Sequence, residues 1–265
     1  MIYFKDLNNV FLARNKNPNI PIWQIVSNDL TKPSLQLNTK VPVGVRNGYK
    51  PQVCQATFDD IYDLIINNKE EITILEHHLE QEANKLNNNE KYWHKEVKVN
   101  KNIIDPLTFT IDLDIFELDL QNKKVENKVI DVINKIIFVL TKKNINISIK
   151  DFIVLTSPFD NYKKKYSFHI ILRAKNILCK NQWSFLSLLK EVKEDNKSID
   201  KMFPGMITRI YKTGKFPMNQ SSGRLFKCWN NKNTLTLKDF KDEREFFKNT
   251  LMYYNNYNLK NTTLI

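Results

Sequence analysis

The segment that most restricts the fold is TFTIDLDIF, residues 108–116, where Thr110, Asp112 and Asp114 alternate with Ile111, Leu113 and Ile115. Strict period-2 alternation is the mark of a strand with one face in a core, and here the other face carries two carboxylates. The next segment, KVENKVIDVINKIIFVLTKK, changes period. Val125, Val129, Val132, Ile133, Ile136, Ile137 and Leu140 recur at helical spacing, so this segment is expected to lay one apolar face on the sheet. DFIVLTS then reads as a buried strand, and a turn through Pro158, Asp160 and Asn161 leads into KKKYSFHIIL, giving a hairpin with Ser167, His169 and Ile171 on one face. A helix from about Lys180 to Lys193 follows, apolar at Trp183, Phe185, Leu186, Leu188, Leu189 and Val192. The order strand, helix, strand, strand, helix predicts an α+β protein built on a split βαββα unit of the ferredoxin-like kind, with an N-terminal α/β flank.

The flank is less regular. Pro18, Pro21, Pro33, Pro42 and Pro51 punctuate residues 1–55, which are expected to form loops and short strands. Thr57 is placed to cap a helix beginning FDDIYDLII, with Asp59 and Asp60 in its first turn, and a second, polar helix is expected from Glu71 to about Asn87. EVKVN is expected to be a further strand. Beyond the split unit comes a basic, Gly/Ser-punctuated stretch, and KDFKDEREFFKNTLMYYNNY reads as a C-terminal helix. The expected layout is one compact domain: a flank over 1–95, a core over 96–238 and the C-terminal helix over 239–265.

Charge narrows the partners. With 41 Lys+Arg against 29 Asp+Glu the net charge is +12, so a polyanion, most simply nucleic acid, is the expected partner. An Asn- and Lys-rich chain with only 5 Gly also fits an A/T-biased coding sequence, which accounts for part of that charge without any function. Cys54, Cys179 and Cys228 are far apart, with no CxxC and no Cys/His knot, so neither a zinc module nor a disulfide framework is expected. MIYFKDLNNV has no apolar signal core, and no apolar run reaches the roughly 18 residues of a membrane span. The expectation is a soluble intracellular protein without a membrane partner.

Two clusters carry chemistry. Asp112 and Asp114 project side by side from one strand face, and such a pair is stabilised by a cation; carboxylate oxygens suit Mg2+ or Mn2+. A carboxylate-held metal pair commonly serves in-line displacement at phosphorus. Lys165, Ser167 and His169 share a face of a neighbouring strand, and all three can donate to phosphate oxygens. Taken singly, the acids could be a solvated strand edge, His169 a core histidine and Lys163, Lys164 and Lys165 a solvated turn.

The combination TFTIDLDIF, then KKYSFHIIL, then FPMNQSSGRL resembles the archaeo-eukaryotic primase family, in its primase-polymerase and large-virus branch, over roughly 170 residues. The resemblance implies a primase catalytic core performing template-directed, two-metal nucleotidyl transfer that makes primers for replication. Asp112 and Asp114 match the metal-binding acids, and Lys165, Ser167 and His169 match the residues that grip the incoming triphosphate. The third motif departs from the pattern: Ile207 stands where an acid would fall, which leaves Asp200, farther upstream, as the candidate third carboxylate. Lys215 and Pro217 occupy arginine positions, and Gly223-Arg224 replaces a lysine.

Implied partners are single-stranded DNA template, nucleoside triphosphates and an accessory primase subunit or helicase, at the site of genome replication. Arg209, Lys212, Lys215, Arg224 and Lys227, interleaved with Tyr211, Phe216 and Phe226, are the candidate template contacts. The short chain without a zinc module is similar to the baculovirus-type late expression factor 1 group of small primase subunits, and no segment singles out that group. Two other readings stay open: a metal-dependent nuclease, which needs no triphosphate cradle, and a catalytically silent nucleic-acid-binding subunit.

Overall fold

A computed structural model of the chain describes residues 1–4, 7–17, 20–27, 50–67, 73–77, 106–120, 124–174, 176–193, 198–199, 208–213, 225–252 and 261–265. The chain divides into two compact units, Met1–Lys98 with Gly205–Leu225 and Val99–Pro204 with Phe226–Ile265, where a single domain was expected. The first break lies close to the expected flank boundary at 95. Residues 205–225 group with the first unit instead of the core over 96–238, because Thr208–Arg209 adds to the first unit's sheet.

In that unit β1 (Ile2–Phe4) precedes α1 (Leu7–Lys16), β2 (Ile22–Ser27), β3 (Lys50–Gln55), α2 (Phe58–Asn67) and β4 (Thr73–His77). With four strands of the second unit intervening, Thr208–Arg209 is β9, and the sheet order is β1-β3-β2-β4-β9 with antiparallel neighbours. Phe4, Val10, Ile22 and Val53 form a small core. Trp23 is fully buried, its indole N–H donating to the Ala56 carbonyl at 2.9 Å and its ring meeting Phe58 edge-on. The expected cap at Thr57 is present: its hydroxyl accepts from the Asp60 N–H and donates to the Asp60 carboxylate at 2.8 Å.

Two sequence expectations change here. α1 falls in a stretch expected to be loops and strands. It has no acidic residue in its first turn, and its far end is held from a distance, the Gln55 amide donating to the carbonyls of Asn17 and Ile20. The expected helix from Glu71 to Asn87 gives way over Thr73–His77 to β4, which runs between β2 and β9; pairing on both edges outweighs a weak helical preference. Residues 78–87 and the expected strand EVKVN lie outside the described residues.

The second unit contains β5 (Thr110–Phe116), α3 (Val125–Thr141), β6 (Phe152–Thr156), β7 (Lys165–Leu172), β8 (Ile177–Leu178), α4 (Gln182–Lys193), β10 (Lys227–Cys228), α5 (Glu243–Asn249) and β11 (Thr263–Leu264). Its main sheet has the order β10-β6-β7-β5 with antiparallel neighbours, and β8 pairs β11 in parallel. The helices follow the sequence pattern, except that Trp183, expected on the apolar face of α4, is 42% exposed. Val129, Val132, Ile133, Ile136 and Leu140 of α3 pack with Phe185, Leu188 and Val192 of α4 and with Ile111, Leu113, Ile115, Phe168 and Ile170 of the sheet in one core. Each fully buried aliphatic side chain contributes about 1.5–3 kcal/mol relative to exposure. Past α4 the chain returns to β5, where Ile199 bridges Leu113 and the Asp114 N–H donates to the Ser198 carbonyl at 2.9 Å.

The expected C-terminal helix is shorter than its pattern. α5 starts at the Asp242 cap, whose carboxylate accepts from the Glu245 N–H at 2.7 Å, and stops at Asn249. Its closing carbonyls are taken by a buried guanidinium: Arg173 Nε donates to the Asn249 carbonyl at 2.9 Å and Nη2 to that of Leu251 at 3.3 Å. A cation at a helix C-terminus is favourably placed against the helix dipole. Residues 253–257 lie outside the described residues. Among the described residues no helix is long and apolar enough to cross a membrane.

Candidate active site

The strand faces expected from alternation meet in register. β5 and β7 pair so that Asp112 stands opposite His169, Asp114 opposite Ser167 and Phe116 opposite Lys165. Directly opposed residues of an antiparallel pair share a sheet face. The five candidate residues Asp112, Asp114, Lys165, Ser167 and His169 therefore form one patch, on the face away from the helices, while Ile111, Leu113, Ile115, Phe168 and Ile170 go to the core.

Contacts within the patch are polar and short. Ser167 Oγ donates to Asp114 Oδ1 at 2.7 Å, and Lys165 Nζ pairs with Asp114 Oδ2, so both oxygens of this carboxylate are engaged. His169 Nε2 lies 3.7 Å from Asp112 Oδ1, close enough for electrostatic attraction and too far for a direct hydrogen bond. Burial grades across the patch: Ser167 is 1% and His169 3% exposed, whereas the Asp112 and Asp114 side chains keep 26% and 21%. The donors form the floor and the carboxylates open toward solvent.

Two further residues complete the patch. The Phe226 ring stacks on the His169 imidazole, with centroids 3.9 Å apart and planes at 22°, which fixes the imidazole plane. Phe226 was expected to be a template-stacking aromatic; it is fully buried and serves His169. Thr110, one step before Asp112 on the same face, is 3% exposed, and its hydroxyl has no hydrogen-bond partner among the described residues. The alternation that exposes Asp112 and Asp114 already runs through Thr110.

The remaining candidates belong to other segments of the chain. Asp200 lies outside the described residues; its neighbour Ile199 bridges Leu113, between the two aspartates in sequence. Arg209 is on β9, opposite Leu75 of β4. Lys212 has a left-handed backbone, φ 60°, with its ammonium 5.8 Å from the Tyr211 ring centre, and Tyr211 is buried and so closed to a template base. Lys215 and Arg224 lie outside the described residues. Lys227 pairs with Thr156, in the row of Phe168, and so belongs to the sheet face opposite His169. Of the candidate template contacts, Arg209 and Lys212 belong to the first unit and Lys227 to the second.

Whether the patch suits a hard cation follows from its donors. Asp112 and Asp114 offer carboxylate oxygens on one face, the donor type that Mg2+ and Mn2+ take, and Mg2+ sites commonly use one or two carboxylates with substrate phosphates and water completing the shell. The residues present fit such an ion. Among the described residues no cluster of three or more His, Cys, Asp or Glu side chains forms a complete protein cage. No protein-family model matches the chain, and no curated protein matches its sequence.

Proposed function

We propose that the second unit is the catalytic core of a primase or primase-polymerase of the archaeo-eukaryotic kind, joining nucleotides on a single-stranded DNA template with release of pyrophosphate. The observation that carries this reading is the register of β5 on β7, which sets Asp112 and Asp114 directly against His169 and Ser167. A solvated strand edge has no need of three phosphate donors beside its acids, and a nuclease has no need of a triphosphate cradle. The fold is consistent with the same reading. The strand–helix–strand–strand–helix order, the sheet order β6-β7-β5 and the return of Ile199 beside β5 correspond to a ferredoxin-like arrangement.

In this reading Asp112 and Asp114 would hold Mg2+ or Mn2+, with Asp200 the proposed third carboxylate. Bound there, the metal would activate the attacking 3′ oxygen and offset phosphate charge. The chain's own groups bind and orient the substrate. Lys165 offsets the charge of Asp114 and Ser167 donates to it, and each can exchange it for a phosphate oxygen by a side-chain rotation. His169, held flat by Phe226, directs Nε2 toward the same space. Charge developing on the pyrophosphate leaving group is then met by donors already in place, the arrangement that contributes most in phosphoryl transfer. Nucleoside triphosphates, template and an accessory subunit or helicase are the proposed partners, at the site of genome replication, and the +12 charge supports a polyanionic one.

The test is incubation of the protein with single-stranded DNA, labelled nucleotides and Mn2+. New oligomers that disappear in Asp112→Asn are the expected result. A shortened template would mean a nuclease, and retention of the strand without products would mean a silent binding subunit; either overturns the proposal.

A further inference from the structure

Along β5 every residue is buried or half-buried except the last, Phe116, which is 43% exposed. Phe116 continues the row of Asp112 and Asp114 on the same face, and it stands directly opposite Lys165, whose ammonium reaches back to Asp114. The strand end is tied to the β6–β7 turn, since the Glu117 N–H donates to the Lys164 carbonyl at 2.9 Å. That turn is fixed from within: the Asp160 carboxylate accepts from the N–H groups of Tyr162 and Lys163 at 3.1 and 2.9 Å, Asp160 and Lys165 exchange both backbone hydrogen bonds, and Lys164 takes a left-handed conformation. The turn so held presents Tyr162, 65% exposed, followed directly by exposed Lys163 and Lys164.

Resting on the nucleotidyl-transfer reading above, we infer that Phe116 and Tyr162 form a stacking platform for the bases of a single strand of nucleic acid running off the carboxylate patch, with Lys163 and Lys164 against its phosphates. Exposed aromatic rings interleaved with cations on a pre-organised surface are what a sequence-tolerant single-strand site requires, because every base has a π face and every linkage an anionic phosphate. Glu117 and Asp119, exposed beyond Phe116, repel phosphate and confine the strand's backbone to the lysine side. A strand is the occupant in preference to the base of a lone nucleotide, because the platform extends from the patch across a second element.

Fluorescence anisotropy with a labelled thymidine oligomer, and with an abasic oligomer of equal length, tests this in wild type and in the Phe116→Ala, Tyr162→Ala double variant. The expected result is binding about tenfold weaker for the double variant on the thymidine strand, with little difference on the abasic one. Lys163→Gln with Lys164→Gln should flatten the salt dependence by about 0.7 logarithmic units per lost phosphate contact. Equal binding of the thymidine strand by wild type and the double variant, or an equal loss on both strands, overturns the platform and leaves the nucleotidyl-transfer reading standing. Weakened binding of a free nucleoside triphosphate with unchanged strand binding also overturns it, assigning the rings to the incoming base. Failure of wild type to bind either strand overturns both readings together.

Discussion

Replacing Asp114 with Asn leaves the shape of β5 unchanged and removes the negative charge that two donors address. Lys165 and Asp114 retain 14% and 21% side-chain exposure, so their attraction acts in a medium far less polar than water. At an effective dielectric constant of about 20, a pair at 4 Å attracts by about 4 kcal/mol, and desolvation of the two groups offsets much of that. The Ser167 hydroxyl adds a hydrogen bond to a charged acceptor, a class contributing about 1.5–3 kcal/mol. Asp114→Asn should therefore lower stability by about 2–3 kcal/mol without added metal, and Lys165→Met by about 1–2 kcal/mol. The double variant should be less destabilised than the sum by about 1–2 kcal/mol, since each single change strands the other partner. Urea unfolding of the four proteins measures this coupling. Strict additivity would refute the contact between Lys165 and Asp114, and with it the convergence of the two strands on one site.

Other consequences follow from the same structure. Ile133→Ala, deleting a fully buried side chain of α3, should cost about 2–4 kcal/mol in urea unfolding. The Thr57 hydroxyl and N–H hold the Asp60 carboxyl below the usual carboxylate range; a group depressed in the folded state stabilises above its unfolded value and loses that contribution as pH falls through its folded one. Asp60→Ala removes the acid side of this exposed capping box and, with solvent screening, should cost about 0.5 kcal/mol or less at neutral pH, with wild type and variant converging in acid unfolding. Burial pushes the Cys54 thiol up to about 12 and raises Cys179 further, so an alkylating reagent near pH 8 should modify half-buried Cys228 first and reach the other two only on unfolding, read by mass spectrometry.

What the sequence reveals of this protein depends on how local each cause is. β5, α3, β7 and α4 are legible because each presents one face to a single core, which writes period 2 or 3.6 directly into the chain. The five-residue patch is legible for the same reason: its members share strand faces, and only the register of β5 on β7 had to be supplied by the structure. β4 is not legible, since its strand state depends on partners far along the chain at Ile22–Val26 and Thr208–Arg209. The end of α5 is set by Arg173, 76 residues from Asn249, and nothing in EREFFKNTLMYYNNY signals it. Phe226 was noticed as an aromatic among cations, yet its stacking on His169 arises only when β10 joins the sheet beside β6.

The central claim is that two strands form one metal-dependent triphosphate site. Calorimetric titration of a non-hydrolysable nucleoside triphosphate, with and without Mn2+, tests it in wild type, Asp112→Asn and His169→Ala. The account predicts binding that requires Mn2+ in wild type, is lost in Asp112→Asn, and is weaker by about 1.5–3 kcal/mol in His169→Ala. Equal affinity in all three proteins, or binding indifferent to Mn2+, would contradict it.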